Sequence, residues 1–416
     1  MNQERILPYF LASLHPEVVS EFFSGLEPLT AEDWDDLARL ALRQRVAPLL
    51  GWQFKTHQLP PELPAFVSEQ LEHQYCKNAI RNQCLMRELG MLLHALHAAE
   101  IPVIVLKGAY LAAAIYDDPA QRVMTDIDLL VPETRIAEAQ ECLRVLGYAT
   151  DVPFKPEPYL ASKHHLPAFH KVGAVGAIEL HWNITPPGRS WSIHVDELWG
   201  RAVPFQIAGT QALSLCPEDG LLYLCYHATY HHLLELFWHG IGPVCDVDRM
   251  IRRFASELDW KAIVERARVW QWSRGGYLQL SLAVELLKTP VPPDVLRQLQ
   301  PAGSNPQVFR AATTHLFVPK GTAQRVSSHM VSFWQEERVV DKVKGLLKSL
   351  FPSPAEMSIR YHVALYSPAL WFYYPAYLVY LARRWSRKAW GLWRGEQVIP
   401  RLSPDQYLVM KWLEQP

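Results

Sequence analysis

The chain is 416 residues long, with 49% hydrophobic residues and 41 Lys+Arg against 42 Asp+Glu, for a formal net charge of -1. That length exceeds what one small core fills and predicts two or three domains. The ordinary composition excludes a fibrous or disordered chain, and the even charge balance excludes a protein drawn to nucleic acid by its overall field. The six cysteines (Cys76, Cys84, Cys142, Cys216, Cys225, Cys245) make no Cys-x-x-Cys pair. Most of them lie in apolar helical runs, which predicts buried thiols rather than disulfides or a zinc site. The first residues lack a charged-then-apolar leader pattern, so the expected address is the cytoplasm.

Residues 1–100 read as helical. Leu85, Leu89, Leu92, Leu93 and Leu96 recur at helical spacing across 81–99, and the proline-rich 59–64 separates this helix from those before it. The texture then changes. Residues 101–106 are apolar and β-branched and predict a buried strand that ends at Lys107-Gly108. A small-residue helix over 109–116 follows, then a turn-rich loop over 117–123 and a second strand over 125–131. A helix is expected over 134–146, capped by Thr134 and stopped by Gly147, and a third strand over 177–182, entered through Gly173 and Gly176. This alternation within about eighty residues is an α/β-type core. From Pro217 the pattern turns helical again, near 217–237, 243–256, 259–270 and 275–288. Residues 289–325 are expected to be loop with short helices. The domain division that follows is 1–98, a helical region; 99–212, the core; 213–350, a second helical domain; and 351–416, an aromatic and basic tail.

The chemistry concentrates in the core. Alternate side chains of a strand share a face, so Asp126 and Asp128 project together while Ile127, Leu129 and Val131 pack behind them. Two carboxylates so close repel unless a positive charge sits between them. Magnesium suits such a site, since it takes hard oxygen ligands and a few carboxylates together with substrate phosphates; manganese is the alternative. On the third strand Glu179 and His181 share one face. If that strand lies beside the first pair, Glu179 completes a three-carboxylate cluster of the kind that holds two metals. Lys107-Gly108 stands where a strand becomes a helix, a place where free N–H groups meet an anion. Gly108 permits close approach, Lys107 adds charge, and Arg122 supplies a second cation. An Asp-x-Asp alone is a weak motif; it gains meaning from the company it keeps.

These residues resemble the nucleotidyltransferase superfamily whose best-known member is DNA polymerase beta, and within it the bacterial family called uncharacterised nucleotidyltransferases. The matching stretches are Ile104-Val-Leu-Lys-Gly-Ala-Tyr-Leu111, Tyr116, Arg122 through Val131 and Ile178-Glu-Leu-His-Trp182, with a looser likeness from about residue 30 to 260 that reaches Cys245-Asp-Val-Asp-Arg-Met250. The resemblance implies an α+β fold with a nucleotidyltransferase-type mixed sheet flanked by helical regions. It also implies that Asp126, Asp128 and Glu179 bind metal and that an NTP is the donor substrate. Where the broader superfamily carries Gly-Ser or Gly-Gly, this chain has Lys107-Gly108, so the customary serine contact to the triphosphate is missing. The acceptor is not implied.

Two further features remain. His227 and His231 share a helical face with zinc-pair spacing, but there is no HExxH and no third ligand is evident, so helix-surface or cleft positions are expected. His164 and His165 are expected on a solvated loop before the third strand, and Asp246 and Asp248 as helix-start carboxylates. Residues 363–382 carry no formal charge and hold Trp371 and five tyrosines. Arg383, Arg384, Arg387, Lys388 and Arg394 follow. The length permits a membrane span, yet Pro368, Pro375 and the abundance of Tyr argue for a helix packed on the protein body, with peripheral membrane contact through 363–394 as the other use. The function expected is a metal-dependent nucleotidyltransferase that moves an NMP from an NTP to an unidentified acceptor hydroxyl or phosphate with pyrophosphate release, the sequence carrying no strong nucleic-acid signal. A non-catalytic adaptor that keeps the fold, or a toxin-type enzyme acting on a partner protein, are the alternatives.

Overall fold

A computed structural model describes residues 3–17, 20–23, 25–57, 63–187, 193–231, 240–302, 306–317, 347, 350–393 and 404–413. The N-terminal helices are α1 (Gln3–Ser13), α2 (Ala31–Arg43), α3 (Ala47–Thr56) and the long α4 (Ala65–Ala98). Thr30 starts α2 with a capping box, its hydroxyl accepting from the Asp33 N–H while the Asp33 carboxylate accepts from the Thr30 N–H. Most of the proline-rich break before α4, residues 58–62, lies outside the described residues. The leucines that announced α4 are the ones it buries.

The core follows as β1 (Ile104–Val105), α5 (Lys107–Ala114), β2 (Asp126–Leu130), α6 (Ile136–Val145), α7 (Pro156–Ser162), β3 (Ala177–His181), α8 (Val195–Arg201), β4 (Val203–Ile207) and β5 (Thr210–Ser214). These strands make one mixed sheet in the order β3-β2-β1-β5-β4, an α+β architecture. β2 and β3 run parallel, which requires a long crossover, here the segment carrying α6 and α7. β1 pairs antiparallel with β2 and parallel with β5. Three differences from the sequence reading stand out. The β4–β5 hairpin was not anticipated. It turns on Ala208 and Gly209, both at positive φ (51° and 75°), the two-residue geometry that matches strand twist. The boundary drawn after residue 212 falls inside β5. Thr134 does not cap a helix: Glu133–Arg135 form a 3-10 turn on Pro132, and α6 starts at Ile136 without a side-chain cap.

The C-terminal helices are α9 (Pro217–Tyr226), continued by a π-helical turn His227–His231, then α10 (Gly242–Arg253), α11 (Trp260–Val269), α12 (Ser273–Leu287), α13 (Pro293–Leu299) and α14 (Pro306–Phe317). The expected extension of the first of these to residue 237 lies outside the described residues. One cluster of buried apolar side chains runs from Ile6 to Leu413, so sheet and flanking helices share a core. A small second cluster (Met357, Leu370, Tyr377, Leu381) holds together α15 (Pro354–Tyr361), the 3-10 turn Pro368–Phe372 and α16 (Tyr373–Trp393). α15 packs on α7, and α17 (Pro404–Leu413) closes the chain against α14. No helix among the described residues is long and apolar enough to cross a membrane. The cysteines are free; Cys216, Cys225 and Cys245 are buried as expected, whereas Cys76 and Cys84 face solvent.

Candidate active site

The register of the parallel pair decides the geometry. Asp128 sits opposite Glu179, and Leu130 opposite His181, so β2 and β3 put their polar positions on one face, as alternation requires. Ile127, Leu129, Ile178 and Leu180 fill the other face and are buried. Gly176, just before β3, is needed for this approach: a Cβ there would lie 2.5 Å from Leu85 Cδ2 and 2.9 Å from the Thr125 carbonyl oxygen.

Asp128, only 3% exposed, is the hub. The Lys107 ammonium donates to its Oδ1 at 3.1 Å, and His181 Nε2 donates to the same oxygen at 2.9 Å. His181 Nε2 also lies 3.5 Å from Glu179 Oε2. Both neighbours are acceptor-only carboxylates, which places a proton on Nε2. Burial alone would raise the Asp128 carboxyl, but Lys107 and the His181 hydrogen bond outweigh it and hold it far below the usual carboxylate range. For Asp126 the lowering influences, the Lys107 charge and a Thr125 hydrogen bond, are outweighed. Burial, reinforced by the neighbouring Asp128 charge, pushes it up to about 6. Burial works against a charged His181, yet its hydrogen bonds to Asp128 and Glu179 prevail and raise its pKa. Glu179 is likewise lowered against burial by the His181 hydrogen bond.

Asp128, Glu179 and His181 each offer a ligand atom, and these atoms lie within 4.8 Å of one another. The cluster can hold a divalent cation. Two carboxylates make a suitable donor set, which the imidazole would join only on giving up its Nε2 proton, and Lys107 supplies positive charge beside them. His181 was placed on this face by the sequence, but its role was missed. His164 and His165 were expected on a solvated loop. Instead His164 is buried, His165 bridges to His181 in the backbone, and the three rings pack with centroids 4.6 to 5.6 Å apart. His165 Nδ1 lies 4.0 Å from Glu179 Oε2, and burial lowers the pKa of this ring.

Lys107 opens α5 with φ +40°, a left-handed conformation unusual for a residue with a side chain. Asp128 fixes its ammonium, which also lies 5.8 Å from the centre of the Tyr223 ring. A Cβ at Gly108 would lie 3.0 Å from an Arg122 guanidinium nitrogen and would press on that cation. Arg122 makes a two-pronged ion pair with Asp246 of α10, Nε and Nη2 each 2.9 Å from a carboxylate oxygen; the Tyr116 hydroxyl donates to the same carboxylate at 2.8 Å. Asp246 is therefore a partner of the core rather than a solvated helix-start carboxylate. Its neighbour Asp248 is buried too, held by Arg249, Arg252 and the Thr289 hydroxyl.

The carboxylates and cations meet at one cavity of about 250 Å³. Lys107, Gly108, Arg122, Asp126, Asp128 and Glu179 line it, so it brings together every site residue the sequence suggested. His227 was expected on a helix surface or in a cleft, and it lies at the cleft; the wall from residues 45–49 was not foreseen. Arg45, Val46 and Leu49 come from the start of α3, and Leu224, His227, Gly242, Pro243 and Asp246 from the C-terminal helices. Arg45 has φ +60° and is a third cation at the rim. No local motif announces it; only its left-handed backbone marks it, and a sequence does not display that. His227 faces the cavity, whereas the side chain of His231, with which it was paired on paper, and His232 lie outside the described residues.

Residues 30–288 match a family described as uncharacterised nucleotidyltransferase. No curated protein and no solved structure matches the chain.

Proposed function

The chain belongs to the family of uncharacterised nucleotidyltransferases, and on that footing we propose that it transfers a nucleoside monophosphate from an NTP to an acceptor hydroxyl or phosphate and releases pyrophosphate. The observation that carries this reading is the pairing of Asp128 with Glu179 across parallel strands, at the wall of a cavity that also holds Lys107, Arg122 and Arg45. We place the chain in the DNA polymerase beta-like superfamily on the same strand arrangement.

In the transfer, an acceptor oxygen forms a bond to the α-phosphorus, and the bond from that phosphorus to the bridging oxygen of the β-phosphate breaks. Pyrophosphate leaves with the electron pair. A hydroxyl acceptor also gives up a proton, which Glu179 is placed to receive. Asp126, Asp128 and Glu179 would hold magnesium or manganese, and His181 would join them only on releasing its Nε2 proton. When bound, the metal offsets the triphosphate charge and makes the acceptor oxygen a better nucleophile. Lys107, whose ammonium pairs with Asp128, would be free to meet the triphosphate if a cation took its place at that carboxylate. Arg45 and Arg122 flank the same volume, and Val46, Leu49 and Leu224 give it an apolar side suited to a base or ribose.

The test is equilibrium binding of each NTP with Mg²⁺ or Mn²⁺, followed by transfer of α-labelled phosphate to candidate acceptors. Binding should vanish in Asp126→Asn and Asp128→Asn. Metal-dependent binding that survives both substitutions overturns the assignment.

A further inference from the structure

We propose that the exposed aromatic turn Tyr366–Phe372 and the basic helix after it form a docking surface for an anionic lipid membrane. Residues 357–395 contain no Asp or Glu but carry Arg360, Arg383, Arg384, Arg387, Lys388 and Arg394. In a chain of formal net charge -1, this is a strong local excess of one sign. The aromatics within it divide into two sets. Tyr377 and Leu381 turn inward, onto Met357 and Leu370. Tyr366, Trp371 and Phe372 turn outward, at 89%, 64% and 81% exposure. Val379 and Tyr380 of α16 are also exposed, and exposed Arg383 lies one turn beyond them on the same helix.

A soluble domain rarely leaves so many large apolar side chains together in water. The order is that of an interfacial element: rings that seek the headgroup boundary, then cations that meet anionic lipid. No helix among the described residues meets the length and apolarity that a span requires. A nucleic-acid strand would also like rings beside cations, but it needs open ring faces. Trp371 has one face stacked on Tyr374 (5.4 Å, 20°), and the Arg360 guanidinium lies over Tyr377 and Tyr380. Aliphatic Val379 offers such a strand nothing. Anionic lipid is therefore the occupant that uses every exposed group. α15, which carries Arg360, packs on α7, and α7 leads into His164 and His165 beside Glu179. Docking would thus fasten the membrane to the element next to the catalytic cleft.

The experiment is flotation of the full-length protein with vesicles of phosphatidylcholine alone or mixed with phosphatidylglycerol. The protein should float with the mixed vesicles, stay behind with the neutral ones, and be released by high salt. Trp371→Ser combined with Phe372→Ser removes two exposed rings and should weaken binding by more than about tenfold while the circular dichroism stays that of the parent. Arg383→Ala should weaken it about fivefold. Failure of the parent protein to float with anionic vesicles overturns the proposal. So does a double variant that floats as well as the parent, or displacement of bound vesicles by an RNA homopolymer. None of these outcomes depends on whether the cleft binds a nucleotide.

Discussion

Asp126 and Asp128 are two residues apart on one strand face and live in different electrostatic worlds. Lys107 and His181 hold Asp128 ionised, while Asp126 is pushed up to about 6 by burial and by Asp128 itself. The ordinary value for Asp126 is 3.8, so the folded chain binds a proton more tightly than the unfolded one between those limits. The sign follows: metal-free stability should fall as pH rises from about 4 through about 6. Urea denaturation across that range should show the fall in the parent and a smaller one in Asp126→Asn, and saturating Mn²⁺ should flatten the parent's curve. A parent and variant with the same pH slope would show that Asp126 does not carry the charge strain. Arg45 permits a second test at this scale. As a cation on the cavity wall, it should lower the affinity for a metal–NTP complex by about tenfold or more when replaced by Ala, measured by calorimetry. An unchanged affinity would remove it from the site. The carboxylates could be read from sequence because alternation on a strand is a local rule. Arg45 could not, since it reaches the cavity from more than sixty residues upstream, and His164 and His165 were mistaken for loop surface because their burial depends on β3 closing over them.

At the scale of elements, the site depends on β2 and β3 keeping their register, and Gly176 guards it. Gly176→Ala would push a methyl group into the Leu85 side chain and the immovable Thr125 carbonyl. We expect a loss of about 1–3 kcal/mol in denaturation midpoint analysis, together with weaker metal binding, because Asp126 follows Thr125 directly. Normal metal affinity in a destabilised variant would separate packing from site geometry. β1 was legible from a short β-branched run ending at Lys107-Gly108, β2 and β3 from apolar residues alternating with carboxylates, and α4 from leucine spacing. The β4–β5 hairpin was not. Its strands are half-exposed, β4 contains Pro204, and its turn uses Ala208 at positive φ, so neither hydrophobic alternation nor an Asn-Gly signal gave it away. Thr134 misled for a related reason: a cap-type residue in sequence became the middle of a 3-10 turn set by Pro132.

Across the whole molecule, the sheet supplies carboxylates, but helices from both sides complete the cavity, and the Arg122–Asp246 pair ties the sheet's loop to α10. Asp246 is buried and Arg122 mostly so, at the cavity wall, and Asp246 opposes the effect of burial to keep the Arg122 guanidinium charged. Removing one partner leaves an uncompensated charge, so Asp246→Ala should cost about 3–5 kcal/mol. The same substitution also frees Arg122, which confounds any nucleotide measurement made on it alone. Replacing both members by apolar residues, Arg122→Met with Asp246→Leu, resolves this, because buried pairs are often exchanged for well-packed apolar groups at little cost in stability. Tyr116 would still lose its acceptor, so recovery should stop short of the parent by about 1–2 kcal/mol. If Arg122 serves the triphosphate as well as the fold, the double variant will regain most of its stability and still bind metal–NTP at least about tenfold more weakly. If affinity returns with stability, Arg122 is a strut between core and helices, and the cationic work of the cavity falls to Lys107 and Arg45.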